Sequence, residues 1–402
     1  MQIPHDKFCV LPWVSLETSP IGTVRPCCLA EDEIQDNSGQ KFNLITADLK
    51  SIQNSDHMRS LRQAFLIGDR TDTCRKCWNE EDAGRTSKRM HTLDRLKHMI
   101  ADESWTRDAK PLMFLDLKLG NICNLKCRIC GSWSSSTFAA EELTHILDRD
   151  LRKKSFHYEM LKQGAWPKDN KTFWPQINAM LGDIRYIEFT GGEPFMIQEH
   201  FDLLENIVES GHAHKVEIHY NTNGTQYPVQ AENIWQHFRH VEIAFSIDDT
   251  DTRFEYQRTN AVWTEVVHNL ALYRDLKNRS SNMSLQVCCT INVYNICHLD
   301  NVANWIQQQN FDFVHWNILH EPWYLSISCL PSKAKKSIND MYKNKSFKSD
   351  LQNNMANILE FMNNGADSDG QDLIKHIVSL DQRRGHNLRS VDPLLCDILE
   401  LQ

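Results

Sequence analysis

The rhythm of apolar positions changes near residue 111. Beyond it, short apolar runs of strand character alternate with stretches of helical spacing. Leu112–Leu119 reads as a first strand and Arg185–Thr190 as a second; Val216–Tyr220, Val241–Ile247, Leu285–Ile291 and Phe311–Leu319 follow. Leu299, Val302, Ala303 and Ile306 share one face of a helix predicted over 299–309. Strands separated by helices imply parallel βαβ units, and six such units suit a partial, TIM-like (β/α)6 barrel better than a closed one. The first crossover, 131–184, is unusually long. After 331 the spacings Ile338/Met341/Tyr342, Met355/Ile358/Leu359/Met362 and Ile374/Ile377/Val378 predict helices, with 365–370 an exposed loop. Before 105 there is little periodicity apart from a helix near 55–67. The expected layout is a small N-terminal module (1–105), an α/β core (106–330) and a helical C-terminal extension (331–402).

Composition narrows the class. The 402 residues are 41% apolar and 24% charged, the profile of an ordinary soluble globular chain. No run approaches the roughly 18 uninterrupted apolar residues that span a bilayer. The first residues lack an apolar secretory core, so a cytoplasmic location is expected, with no membrane partner. The net charge, 44 − 53 = −9, weighs against a nucleic-acid partner. There are thirteen cysteines. An odd number does not suit a closed disulfide framework, and in a reducing compartment clustered cysteines more often bind metal or do chemistry.

Three of them stand in one short loop after the first strand: Cys123, Cys127 and Cys130, with C-x3-C-x2-C spacing. Three thiolates can hold three corners of a cubane cluster and leave one iron open to another ligand. In a barrel-like fold that loop lies at the end where active sites collect. A structural zinc site with a distant fourth ligand is the competing reading, although zinc sites usually pair C-x2-C units or cysteine with histidine. Gly191-Gly192-Glu193-Pro194 follows the second strand, Asn221-Thr222-Asn223-Gly224 the third, and Ser246-Ile247-Asp248 the fourth, with Arg258 beyond.

Together these residues resemble the radical S-adenosylmethionine (SAM) superfamily. The resemblance implies a 4Fe–4S cluster on Cys123, Cys127 and Cys130, with SAM chelating the open iron. An electron from the cluster would cleave SAM to methionine and a 5′-deoxyadenosyl radical that abstracts hydrogen. Ile129 would pack near the adenine. Gly191, Gly192, Glu193 and Pro194 would form the motif whose glutamate contacts the methionine amino group. Asn223 belongs to a TNG-like turn; Ser246, Asp248 and Arg258 would reach the ribose and carboxylate, and Asn292 the adenine or ribose edge. The guanidinium fork of an arginine suits a carboxylate. A flavodoxin- or ferredoxin-type electron donor is implied as partner.

Cys9, twelve residues, Gly22, four residues and Cys27, followed by Cys74 and Cys77, resemble the start of a SPASM or twitch module. That implies a second, auxiliary 4Fe–4S cluster on Cys9, Cys27, Cys74 and Cys77, with Cys28 as an alternative to Cys27. Such modules more often follow the barrel; this one precedes it. A tetrathiolate zinc site is the competing reading.

For the reaction itself, Cys329 is the candidate thiol that returns hydrogen to a substrate radical. Cys288 shares strand parity with Asn292, while Cys289, Cys297 and Cys396 lack such an argument. His315, His320, Glu321 and Tyr324 could line a substrate pocket, and Trp166, Trp174, Trp316 and Trp323 could shape it. The leading expectation is hydrogen abstraction from a peptide or protein, leading to oxidation, cross-linking or epimerisation. A small-molecule dehydrogenase or epimerase acting on a sugar or aminocyclitol, and a non-catalytic metal-binding interaction protein, are the alternatives.

Overall fold

The computed structural model describes residues 3–82, 84, 86–97, 104–168, 170–345, 347, 351–366 and 368–401. Its strands are β1 (Ser15–Thr18), β2 (Val24–Arg25), β3 (Phe114–Leu117), β4 (Tyr186–Phe189), β5 (Glu217–Thr222), β6 (His240–Ser246), β7 (Met283–Ile291) and β8 (Phe313–Ile318). They form an open, mostly parallel sheet in the order β2-β1-β3-β4-β5-β6-β7-β8. The six predicted core strands are β3 to β8. The alternation of strands with helices gives the α/β, partial-barrel architecture expected.

Two strands lie where little regular structure is expected. β1 runs parallel to β3, with Ser15 to Thr18 opposite Phe114 to Leu117, and β2 returns antiparallel to β1. The four-residue length of β1 leaves too few alternations for periodicity to register.

The chain divides into two compact units. The first comprises residues 1–122, 132–220 and 229–241. Here the helix Asp56–Ile67 matches its predicted span; it is capped by Ser55 and closed by Gly68 in the left-handed conformation. Helices fill much of the long first crossover. One face of β3 and β4 is apolar, with Leu115, Leu117, Ile187 and Phe189 buried. The other is charged: Arg25, Glu17, Asp116, Glu188 and His219 are successive register partners across β2, β1, β3, β4 and β5.

Behind the apolar face, His200 on the helix Gln198–Glu209 is fully buried. Its Nε2 lies 2.7 Å from Tyr220 Oη, and its ring meets Phe189 edge-on at 4.5 Å. Burial alone pulls its pKa down to about 3. The folded state therefore resists protonation that the unfolded chain accepts. The neutral ring's stability is complete above the ordinary value near 6.5 and declines as pH falls toward 3. Between pH 7 and pH 5 this histidine should remove roughly 2 kcal/mol of stability. Urea unfolding at both pH values checks it: His200→Gln, which does not titrate there, should lose correspondingly less.

The second unit comprises residues 123–131, 221–228 and 242–402. The helix Leu299–Gln308 buries Leu299, Val302, Ala303 and Ile306, the four positions its spacing predicts. Three C-terminal helices, Ser332–Tyr342, Leu351–Asn364 and Gln371–Arg384, bury Ile338, Met355, Ile358, Met362 and Ile377. In the last of them the buried stripe is Leu373, Ile377 and Leu380, whereas Val378, expected inside, is exposed. The stripe steps by four and three residues and passes Val378 by. Among the described residues no helix is long and apolar enough to cross a membrane. Of the predicted loop 365–370, Asp367 lies outside the described residues.

Candidate functional site

In the second unit the loop 123–131 is pinned from one side. Lys126 N donates to Thr259 O at 3.1 Å and Arg128 N to Gln257 O at 2.8 Å. These two bonds bracket Arg258, which the family resemblance implies as a ligand to SAM. Arg258 Nη2 donates to Asp248 Oδ2 at 2.6 Å. Asp248 Oδ1 accepts from Thr290 N at 2.8 Å, so the carboxylate is fixed from β7 and aims the guanidinium. Burial opposes the charge of Arg258, but Asp248, Cys127 and Cys130 raise its pKa. Cys127 is pushed up, chiefly by burial and against the pull of Arg258, with Cys130, Cys123 and Asp248 adding to the rise; Cys130 is pushed up by burial. Arg258 Nε is buried with no hydrogen-bond partner among the described residues. A donor orphaned beside the thiols of Cys127 and Cys130 fits an anionic ligand seated on a thiolate-bound cluster.

Asn223, in the turn after β5, holds its Nδ2 3.8 Å from Cys123 Sγ and 3.0 Å from Asn124 Oδ1. Its Oδ1 accepts from Thr225 N at 2.9 Å. It therefore stands at the thiol of Cys123, a position from which a hydrogen bond to a cluster-bound sulfur would tune its potential. Ser246 is half-buried at the end of β6. Ile129 is partly buried against an apolar cluster that includes Tyr256, Tyr294 and Leu388. Asn292 is fully buried, and its amide is engaged locally: Nδ2 donates to Thr290 O and Gln257 Oε1, and Oδ1 accepts from Tyr294 N. It organises the turn after β7.

Of the candidate thiols, the structure places Cys288 with the Asp248–Arg258 pair. Burial, then Asp248, push it up to about 11 against the pull of Arg258. Its register partner is His315, exposed on β8. Cys329 sits in the turn Ile327–Cys329, its Sγ 3.8 Å from Ser328 Oγ. Trp316 keeps a buried Nε1 with no hydrogen-bond partner among the described residues, Trp323 is about half exposed, and Trp166 is packed.

In the first unit, Gly191 and Gly192 adopt φ of +74° and +61°, open to glycine at little cost. A Cβ on Gly192 would lie 2.5 Å from Ile122 O, so only glycine lets this turn close on the residue before Cys123. Glu193 N donates to Ile122 O at 2.7 Å; the Glu193 side chain is fully buried and accepts from Phe195 N at the start of the turn Pro194–Met196.

The N-terminal cysteines separate into a group and an outlier. Burial raises Cys9, and the thiols of Cys74, Cys27 and Cys77 add to the rise. Cys74 is pushed up to about 12 by burial, with Cys27 and Cys77 again among its neighbours. Cys9, Cys27, Cys74 and Cys77 thus influence one another electrostatically, and four thiolates are the donor set of a closed cluster or of zinc. Cys28 instead faces the charged row: its Sγ, an Asp116 oxygen and a Glu188 oxygen lie within 4.8 Å of one another. Lys88 Nζ donates to Glu188 at 2.8 Å, and Lys118 Nζ to Glu17 at 2.7 Å and to Asp116 at 3.4 Å. Sequence reasoning missed this network, although Asp116, Lys118 and Glu188 share one strand parity in otherwise apolar runs.

The model of the radical SAM superfamily matches residues 117–306, and that of the SPASM iron–sulfur cluster-binding domain matches residues 9–78. The chain thus carries a radical SAM domain over 117–306 and a SPASM module on its N-terminal side. Its cofactors are accordingly SAM, a 4Fe–4S cluster and an auxiliary iron–sulfur cluster. Among solved structures it is similar to native anSMEcpe with bound AdoMet and Cp18Cys peptide. That match has 16% identity over 67% of this chain and 66% of that one, with a TM-score of 0.37. It is also similar to TYW1 with a lysine-pyruvate adduct bound, at 10% identity over 59% of this chain and 72% of that one, with a TM-score of 0.29. None of the curated proteins matches it.

Proposed function

We propose that this protein abstracts hydrogen from a side chain or α-carbon of a peptide or protein, with oxidation, cross-linking or epimerisation as the outcome. The observation that carries the reading is Arg258, buried beside Cys127 and Cys130 with Nε unpartnered. Cys123, Cys127 and Cys130 would hold the cluster, and Arg258 would take the carboxylate of SAM. When bound, SAM and the cluster supply reductive cleavage and hydrogen abstraction. Asp248 orients the guanidinium, Ser246 would meet the ribose, and Asn223 supports Cys123. Glu193, with Gly191, Gly192 and Pro194, is assigned to SAM by its motif.

A peptide substrate is supported by the SPASM module and by the face of β8 that carries His315 and Asn317, which is open to solvent. Cys288 stands where a thiol could return hydrogen, and Cys329 is the second candidate. Thiol sets of this kind suit a reducing, cytoplasmic setting and a flavodoxin- or ferredoxin-type donor.

Anaerobic incubation with SAM and dithionite tests the reading. The protein should release 5′-deoxyadenosine, and Arg258→Lys, which keeps a cation for Asp248 but loses the fork, should bind SAM roughly tenfold more weakly. Its iron content should stay unchanged. Unchanged SAM affinity would remove Arg258 from the site. No 5′-deoxyadenosine from an iron-loaded protein would favour an interaction protein, and turnover of a sugar rather than a peptide would move the substrate to the small-molecule class.

A further inference from the structure

We infer that the C-terminal helical extension is a positioning device for the loop of Cys123, Cys127 and Cys130, acting through the joint between Arg128 and Asp381. The inference rests on the assignment of those cysteines to the SAM cluster. Arg128 follows Cys127 directly and is fully buried. Its guanidinium lies 3.6 Å from the centroid of the Tyr256 ring, and Nε donates to Tyr256 O at 3.0 Å. Nη2 donates to Asp381 Oδ1 at 2.5 Å and to His386 Nδ1 at 3.1 Å. A guanidinium only donates, so Nδ1 of His386 accepts and its proton sits on Nε2.

Asp381, near the end of the helix Gln371–Arg384, gathers several strands of the joint. Besides Arg128 it accepts from Tyr256 Oη at 2.9 Å and, through Oδ2, from Leu388 N at 2.8 Å. The next loop residue, Ile129, packs on the apolar cluster to which Leu373, Ile377 and Leu388 belong. Both residues between the last two cysteines are thus held by chain beyond residue 370.

A carboxylate is required there for a physical reason. A buried guanidinium without a counter-ion is strongly unfavourable, so removing Asp381 would expel Arg128 or distort the loop that carries it. The same carboxylate sets the net charge next to the cluster. Groups outside the ligand shell orient ligands and tune a metal centre in this way.

Asp381→Asn keeps the shape and most acceptors but removes the charge. In the full, anaerobically reconstituted protein its expected effects are an upward shift of the SAM-cluster midpoint potential and a loss of about 10–100-fold in SAM cleavage. The auxiliary-cluster signal should stay where it is, and Asp381→Glu should recover much of the loss. In the metal-free chain, hydrogen exchange across 121–131 should rise. If Asp381→Asn does not fold, Arg128→Lys, which keeps the charge but loses the planar fork, should lower iron in the SAM cluster several-fold. A wild-type potential and exchange rate in Asp381→Asn, or full iron in Arg128→Lys, would overturn the inference. A wild-type protein with no SAM-cluster signal for the cysteine variants to lose would instead overturn the site assignment.

Discussion

A chain with Cys123, Cys127 and Cys130 all changed to alanine will hold about four irons instead of about eight and will form no 5′-deoxyadenosine. The expectation follows from how the two thiol sets are built. Cys127 lies near Cys123, Cys130 and Arg258, Cys130 near Arg258, and both Cys127 and Cys130 are raised by burial. A neutral trio would leave the Arg258 guanidinium with Asp248 alone and an orphaned Nε. Alanine at all three positions removes the donors without touching Cys9, Cys27, Cys74 or Cys77, which lie in the other unit. The remaining irons should therefore report the auxiliary cluster, with its spectrum intact. If iron falls to zero, the two sites are not independent. If it stays near eight, the loop does not hold a cluster and the radical reading fails with it.

Much of this was legible in residue order, for a physical reason. A metal loop is local, so its donors are a few residues apart and their spacing survives in sequence. The strands β3 to β8 were legible because each is flanked by turn residues and a helix of a different period. The helix Leu299–Gln308 was legible because its four buried positions repeat at three and four residues. What was hidden depends on tertiary approach. β1 is four residues long, and only pairing with β3 makes it a strand. The ion pair of Arg128 could not be seen in sequence, because its partner lies 253 residues later. The local bonds of the Asn292 amide to Thr290 O, Gln257 Oε1 and Tyr294 N were equally invisible in sequence. The charged row of Glu17, Asp116 and Glu188 is visible only once register sets the three side by side.

The neighbouring pair Cys27-Cys28 gives the second large effect, because the two thiols point to different chemistries. Cys27→Ala should cost the auxiliary cluster, lowering iron from about eight to about four with the SAM-cluster signal retained. Cys28→Ala should keep all of it. Cys27 is a neighbour of Cys9, Cys74 and Cys77. Cys28 is raised chiefly by burial, against the pull of Lys88, with Asp116 and Glu188 adding to the rise. The Cys28, Asp116 and Glu188 donors are close enough to hold a metal of their own. The cations already present argue against one. Burial opposes the charge of Lys88, but Glu188, Cys28 and Asp116 hold it above its ordinary range, and Lys118 serves Glu17 and Asp116 in the same manner. With Arg25 on Glu17, three acids meet three bases, and a divalent ion would have to displace an ammonium group. Cys28→Ala should therefore cost only the thiol's hydrogen bond to Asp116, on the order of 1 kcal/mol. Iron analysis and thermal melting of the two single variants, side by side, decide the matter. Loss of iron in Cys28→Ala with retention in Cys27→Ala would exchange the roles of the two residues and make the charged row a partner of the auxiliary cluster.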